Sequence, residues 1–142
     1  MKRMWMAALV IVALGLFVGF AGCTKQNDME SEVKGKDADM TTDASTLARA
    51  YATNAVVGDG TYGEKILEVT GTVEKVFSSA GNRVVELTTG NPSLLIDCYF
   101  SEAHKAELDK VSAGDEVTIK GKCMGMTKYV DLQGCIFVGP QE

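Results

Sequence analysis

The 142-residue chain has a single histidine, four cysteines and no concentration of positive charge. One histidine, without any Cys-x-x-Cys or His-x-His spacing, leaves little material for a zinc site or a thiol oxidoreductase. There is no Gly-x-Ser-x-Gly element and no phosphate-cradling glycine loop. The positioned base with a nucleophile or metal that catalysis usually needs is therefore missing, and the chain reads as a non-enzyme without a cofactor. Its 14 Lys and Arg are outnumbered by 19 Asp and Glu. That balance argues against holding nucleic acid through its phosphates, and no nucleic-acid partner is expected. With 46% apolar and 23% charged residues, what remains is one globular domain with accessory segments, not a large enzyme or a multi-span membrane protein.

Acidic residues are also absent from positions 1–22, which carry only Lys2 and Arg3 as charges. Met4 to Phe20 is an apolar run, followed by Ala21, Gly22 and Cys23. Positive start, apolar stretch and small-residue end are the parts of a secretory signal peptide. A run of 17 residues lies at the lower edge of a bilayer span, so an uncleaved anchor and soluble secretion stay open as alternatives. Phe20-Ala21-Gly22-Cys23 resembles the bacterial lipobox, although Phe20 departs from the usual leucine. The resemblance implies cleavage before Cys23, diacylglycerol on its thiol and a fatty acyl (palmitate) chain on its amine. Two or three chains anchor stably where one does not. Residues 1–22 are then a leader, and its removal takes the formal charge from −5 to −7. The expected location is the bacterial cell envelope, lipid-anchored and facing the periplasm. Thr24 in place of an aspartate favours the outer membrane in a Gram-negative cell.

Residues 23–42 are expected to be the lipidated cysteine and a flexible tether, because the polar, charged stretch from Thr24 shows no apolar period. From 43 to about 57 the spacing of Leu47, Ala48, Tyr51 and Ala55 predicts a helix, capped by Thr42 or Asp43 and stopped by Gly58 and Gly60. Tyr51 reads as a packing residue. Alternation then predicts a strand from Leu67 to Glu74, a second at Val84–Thr88 and a third at Leu94–Phe100, with Ile96, Cys98 and Phe100 on one face. Ser101 opens a short helix from Glu102 to about Val111. Two further strands follow, around Val117–Lys122 and Val130–Val138. The order β-β-β-α-β-β after an N-terminal helix predicts a mainly-β, five-stranded OB-fold Greek-key barrel over residues 43–139, with Gly71 and Gly121 at sharp bends.

Several pieces carry a resemblance across about 95 residues. They are Ala50-Tyr51 with Asn54, Tyr62-Gly63-Glu64-Lys65, Glu68-Val69-Thr70-Gly71-Thr72-Val73, Cys98-Tyr99-Phe100, Gly114 to Cys123, and Val130 to Cys135. Their order and spacing resemble the bacterial tRNA-anticodon-binding-domain-like family, common in secreted and lipid-anchored proteins. The resemblance implies an OB-fold and no particular reaction.

Cys23 is accounted for by lipid, and export places the other thiols where disulfides persist. Cys123 and Cys135 lie 12 positions apart on a predicted hairpin. A Cys123–Cys135 disulfide is expected, provided that a bulge at Gly134 corrects the parity of Cys135. Cys98 then reads as a buried thiol and His104 as a solvated surface residue. Tyr99, Arg83, Lys120, Lys122 and Lys128 form the candidate ligand face for an anion. An exposed patch of Tyr99, Phe77, Phe137 and Tyr129 would instead mark an interface. The favoured role is a non-catalytic interaction or structural module, with an envelope protein as partner. A binding module for a glycan, peptide or small anion is the alternative, with an oligonucleotide less favoured.

Overall fold

The structure, a computed structural model, describes residues 24–139. The leader expected at 1–22 and the lipidation residue Cys23 lie outside them. Alternating apolar residues from Ile66 onward build one long strand, β2 (Ile66–Ser79), which extends well past the expected end at Glu74. An irregularity between Val73 and Lys75 bends it. Its two halves therefore meet different neighbours. The first pairs antiparallel with β5 (Glu116–Met126), the second with β3 (Asn82–Leu87). β3 pairs with β4 (Ile96–Phe100), β4 runs parallel to β6 (Val130–Phe137), and β6 pairs antiparallel with β5. The circuit β2-β3-β4-β6-β5-β2 closes. This is the expected five-stranded OB barrel, and closure removes the exposed edges of an open sheet.

The inward residues are those the alternation marks, among them Leu67, Val69, Val73, Val85, Leu87, Ile96, Cys98, Phe100, Ile119 and Leu132. Phe137, expected on an exposed patch, is partly buried and stacks on Phe100 with centroids 4.7 Å apart. A sixth strand, β1 (Met40–Asp43), runs parallel to the first half of β2, from Met40 beside Leu67 to Asp43 beside Thr70.

The helix expected at 43–57 is two helices, α2 (Ala44–Thr53) and α3 (Ala55–Tyr62). Asp43 caps α2, accepting from the Thr46 amide at 2.8 Å and from the Ser45 and Thr46 hydroxyls. These hydrogen bonds hold its carboxyl well below the usual carboxylate range. Asn54 is extended, so it ends α2, and its side chain then accepts from the Val56 and Val57 amides to start α3. Gly58 and Gly60 do not stop the helix but lie inside it. A Cβ at Gly58 would sit 2.8 Å from the Tyr51 ring, which is buried as expected of a packing residue. The second predicted helix is shorter than expected, a 3-10 turn (Glu102–His104) running into α4 (Lys105–Leu108).

The tether expected at 23–42 is corrected more deeply. From Thr24 the chain is helical, as α1 (Thr24–Gly35), and α1 packs on β6 and β5. Val33 is fully buried and Glu30 nearly so. At Gly134 a Cβ would come within 2.6 Å of the Met29 backbone, so glycine lets helix and strand touch. The segment shows no apolar period because polar contacts, not an apolar stripe, dock most of it.

Candidate functional site

On OB barrels ligands usually meet the outer face of the second and third barrel strands, with the loops that flank them. Here those strands are β3 and β4. Cross-strand register puts two rows of side chains on that face. One row runs Lys75, Glu86, Asp97 and Asp131 across β2, β3, β4 and β6. The adjacent row runs Phe77, Val84 and Tyr99.

The first row is acidic. Lys75 reaches Glu86 at 3.6 Å and also lies over the Phe77 ring. Glu86 is only 4% exposed. Asp97 has one buried carboxylate oxygen without a hydrogen-bond partner. Burial, with the Glu86 and Asp131 carboxylates alongside, pushes Asp97 up to about 6. Burial also raises Asp131, against a hydrogen bond from the Thr127 hydroxyl at 3.1 Å. Like charges directly opposite one another on paired strands are destabilising, so the arrangement costs stability. Such cost concentrates at functional sites. Among the described residues no three His, Cys, Asp or Glu side chains are grouped to hold a metal ion.

The basic residues expected to form an anion face are not brought together. Arg83 pairs with Glu102 at 3.2 Å. Lys122 pairs with Glu32 at 3.2 Å and Glu64 at 3.8 Å, and Lys120 donates to the Lys36 carbonyl. Lys128 sits over the Tyr129 ring. Tyr99 does lie on the face, its carbonyl accepting from Gln26 Nε2 at 2.8 Å and its phenol raised by burial. Its contact is with the N-terminal end of α1, whereas Lys122 touches the C-terminal part and Lys120 the residue just beyond it. The helix therefore lies between the aromatic and the two lysines. The interface patch is likewise dispersed, since Phe137 and Tyr129 pack against the core while Phe77 and Tyr99 share the outer row.

A latch holds α1 in place. Glu30 Oε2 accepts from the Ser101 hydroxyl at 2.6 Å, and Glu30 Oε1 takes the Lys34 ammonium at 2.5 Å. His104 Nε2 lies 3.1 Å from the same oxygen, a close contact without hydrogen-bond alignment. Burial works against the Glu30 charge, but Lys34, Ser101 and His104 outweigh it and hold the carboxyl down at about 2. His104, expected on the surface, is 7% exposed and packs edge-on to Phe100. Beside this latch opens a cleft of about 660 Å³, walled by Gln26 and Met29, the Ala80–Asn82 turn, Ser101 to Ala103 and Gln133. Sequence reasoning missed Glu86, Asp97, Asp131 and Glu30. Strand alternation signals that Glu86 and Asp97 point outward, and only the register aligns them.

The cysteine pairing is also corrected. Among the described residues Cys98, Cys123 and Cys135 are buried free thiols. The bulge at Gly134 is present, with φ of 64°, and turns Cys135 inward. Cys123, however, is opposite Leu132 and contacts the Tyr51 hydroxyl at 3.4 Å. Cys135 instead lies on the side of Cys98, its Sγ 3.4 Å from the carbonyl of Leu132, which is paired with Cys98.

No curated protein matches the chain. Among solved structures, one from Klebsiella pneumoniae subsp. pneumoniae MGH 78578, described as a "putative nucleic acid-binding lipoprotein", superposes with a TM-score of 0.59 at 17% identity, over 73% of this chain and 100% of that one. The S. pombe Stn1-ten1 complex aligns with a TM-score of 0.40 at 13% identity, over 51% and 57% of the two chains. The first likeness is one of fold. The sequence itself matches the tRNA_anti-like family model over residues 1–136. That span takes in α1 and the barrel short of the last residue of β6, so the chain belongs to the tRNA_anti-like family.

Proposed function

We propose that this chain is a lipid-anchored, non-catalytic binding module of the bacterial cell envelope, and that its OB face takes a protein segment in preference to a polyanion. The observation that carries the reading is the row of Glu86 and Asp97, on the strands where OB-folds place their ligands, continued by Asp131 on the adjoining β6. A phosphate backbone brought to that row would meet three carboxylates and one lysine already paired with Glu86. Phe77 and Tyr99, half-buried in the row beside it, supply aromatic contact area. Family membership supports a binding role over a catalytic one. The anchor rests on Lys2, Arg3, the apolar run and Cys23, and the lipoprotein neighbour is in keeping with it.

A second reading is single-stranded nucleic acid, favoured by the neighbour's description and by the two outward aromatics as stacking platforms. An oligonucleotide-binding assay at moderate salt separates the two. Little or no affinity is the expected result, whereas tight binding lost in Phe77→Ala and Tyr99→Ala would establish the second reading. The anchor has its own test. Cys23→Ser should slow cleavage of the precursor and release the chain from the membrane fraction, and unchanged gel mobility and partitioning would overturn it.

A further inference from the structure

We propose that Cys98 and Cys135 form the disulfide of the exported protein, stapling β4 to β6 inside the barrel. The proposal rests on the export reading above for its oxidising compartment. Three observations support this pair over Cys123–Cys135. First, β4 and β6 are parallel neighbours, with Cys98 paired to Leu132. The Gly134 bulge sets two residues of β6 against Gly121 of β5, so Cys135 follows Leu132 on the inner face. Second, both thiols are fully buried in one core cluster, and Cys135 Sγ lies 3.4 Å from the carbonyl of Leu132, the residue paired with Cys98. A Cβ at Gly121 would come 2.7 Å from Cys135 Sγ, so the glycine leaves room for sulfur there. Third, Cys123 is turned toward Tyr51.

The chemistry is exchange with a disulfide oxidant, either an envelope dithiol–disulfide oxidase or a small-molecule disulfide. The Cys135 thiolate attacks one sulfur of the oxidant and expels a thiolate. The Cys98 thiolate then attacks the mixed disulfide at Cys135 and expels the second. Two S–H bonds and the oxidant's S–S bond are lost, one protein S–S bond forms, and the oxidant leaves as two thiols carrying both protons. Burial raises the Cys98 thiol well above its ordinary value and raises Cys123. Thiols buried in this way are unreactive, so oxidation belongs to the stage before the barrel closes. The bond spans 37 positions. Loop-closure entropy then favours the folded state on the order of several hundredfold over the reduced protein.

The test uses the full chain with its leader, recovered from the envelope fraction, blocked with N-ethylmaleimide and digested with trypsin without reduction. Cys98, Cys123 and Cys135 fall on the separate peptides 84–105, 123–128 and 129–142. A linked 84–105 with 129–142 is expected, and should persist in Cys123→Ala. A link between 123–128 and 129–142, or three blocked thiols, would overturn the proposal. Where the chain stays in the cytoplasm, export itself fails, and the bond is judged on unfolded chain refolded in oxidised and reduced glutathione. The same cross-link there upholds the pair, and three blocked thiols overturn it.

Discussion

Asp97, half-buried, and Glu30, buried, are two carboxyls driven in opposite directions, and that contrast makes predictions at the residue scale. Burial beside Glu86 and Asp131 raises Asp97 from 3.8 to about 6. The folded state therefore binds the proton more tightly than the unfolded one, and the associated stability is lost as pH rises from about 4 through about 6. Asp97→Asn should stabilise the protein at pH 7 by about 1 kcal/mol after allowance for solvent screening, and the gain should vanish below pH 4. Glu30 behaves inversely. Its carboxyl is lowered from 4.5 to about 2 by Lys34, Ser101 and His104, against burial. Its contribution is complete above about pH 4.5 and is lost as pH falls toward 2. Glu30→Gln should cost about 1–2 kcal/mol at pH 7, with the difference shrinking in acid. Urea unfolding of both variants from pH 3 to 8 checks the two signs together. The sequence displays Asp97 as an outward residue between Ile96 and Cys98. It does not display Glu86 and Asp131 as its neighbours, because strand register is a property of the closed barrel.

At the scale of elements, α3 shows how one residue type acts oppositely two positions apart. Gly58 faces the Tyr51 ring, and an added Cβ would lie 2.8 Å from it, whereas Gly60 meets nothing within 4 Å. Gly60→Ala should stabilise the protein by about 0.5–1 kcal/mol through helix propensity. Gly58→Ala should destabilise it by about 1–3 kcal/mol through overpacking, despite the same propensity gain. Paired thermal melts give the comparison. Opposite signs are expected, and equal shifts would mean that Tyr51 relaxes freely. The five barrel strands were legible in the sequence, since alternation of inward and outward residues is local. Three elements were not. Asn54 divides a continuous helical pattern because its side chain caps the second helix. β1 has only four residues and takes its ladder from β2. α1 hides in a charged stretch, where Gln26, Glu30 and Glu32 find partners more than sixty positions away.

For the whole molecule, α1 changes how the barrel presents its candidate ligand face. The helix starts at Thr24, directly after the proposed lipid-bearing Cys23, and packs on the barrel through Glu30, Glu32 and Gln26. A lipid at Cys23 would therefore hold the domain close to the membrane without the spacer that the polar composition suggested. α1 also engages Lys122, and the Lys36 carbonyl just past its end takes Lys120, removing two of the cations that a phosphate backbone would need. What remains on the face is aromatic and acidic, apart from Lys75, which is paired with Glu86. If the acidic row is what excludes polyanions, removing its charge should admit them. The variant Glu86→Gln/Asp97→Asn/Asp131→Asn keeps the side-chain shapes and leaves Lys75 without its acidic partner. It should bind single-stranded oligonucleotides about tenfold or more tightly than the parent at low salt, by removing nearby like-charge repulsion. The gain should fall as salt rises and disappear when Phe77→Ala and Tyr99→Ala are added, because stacking then has no platform. Fluorescence anisotropy across a salt series distinguishes this from the alternative, in which the parent already binds and neutralising the row makes no difference, so that the determinant lies elsewhere on the barrel.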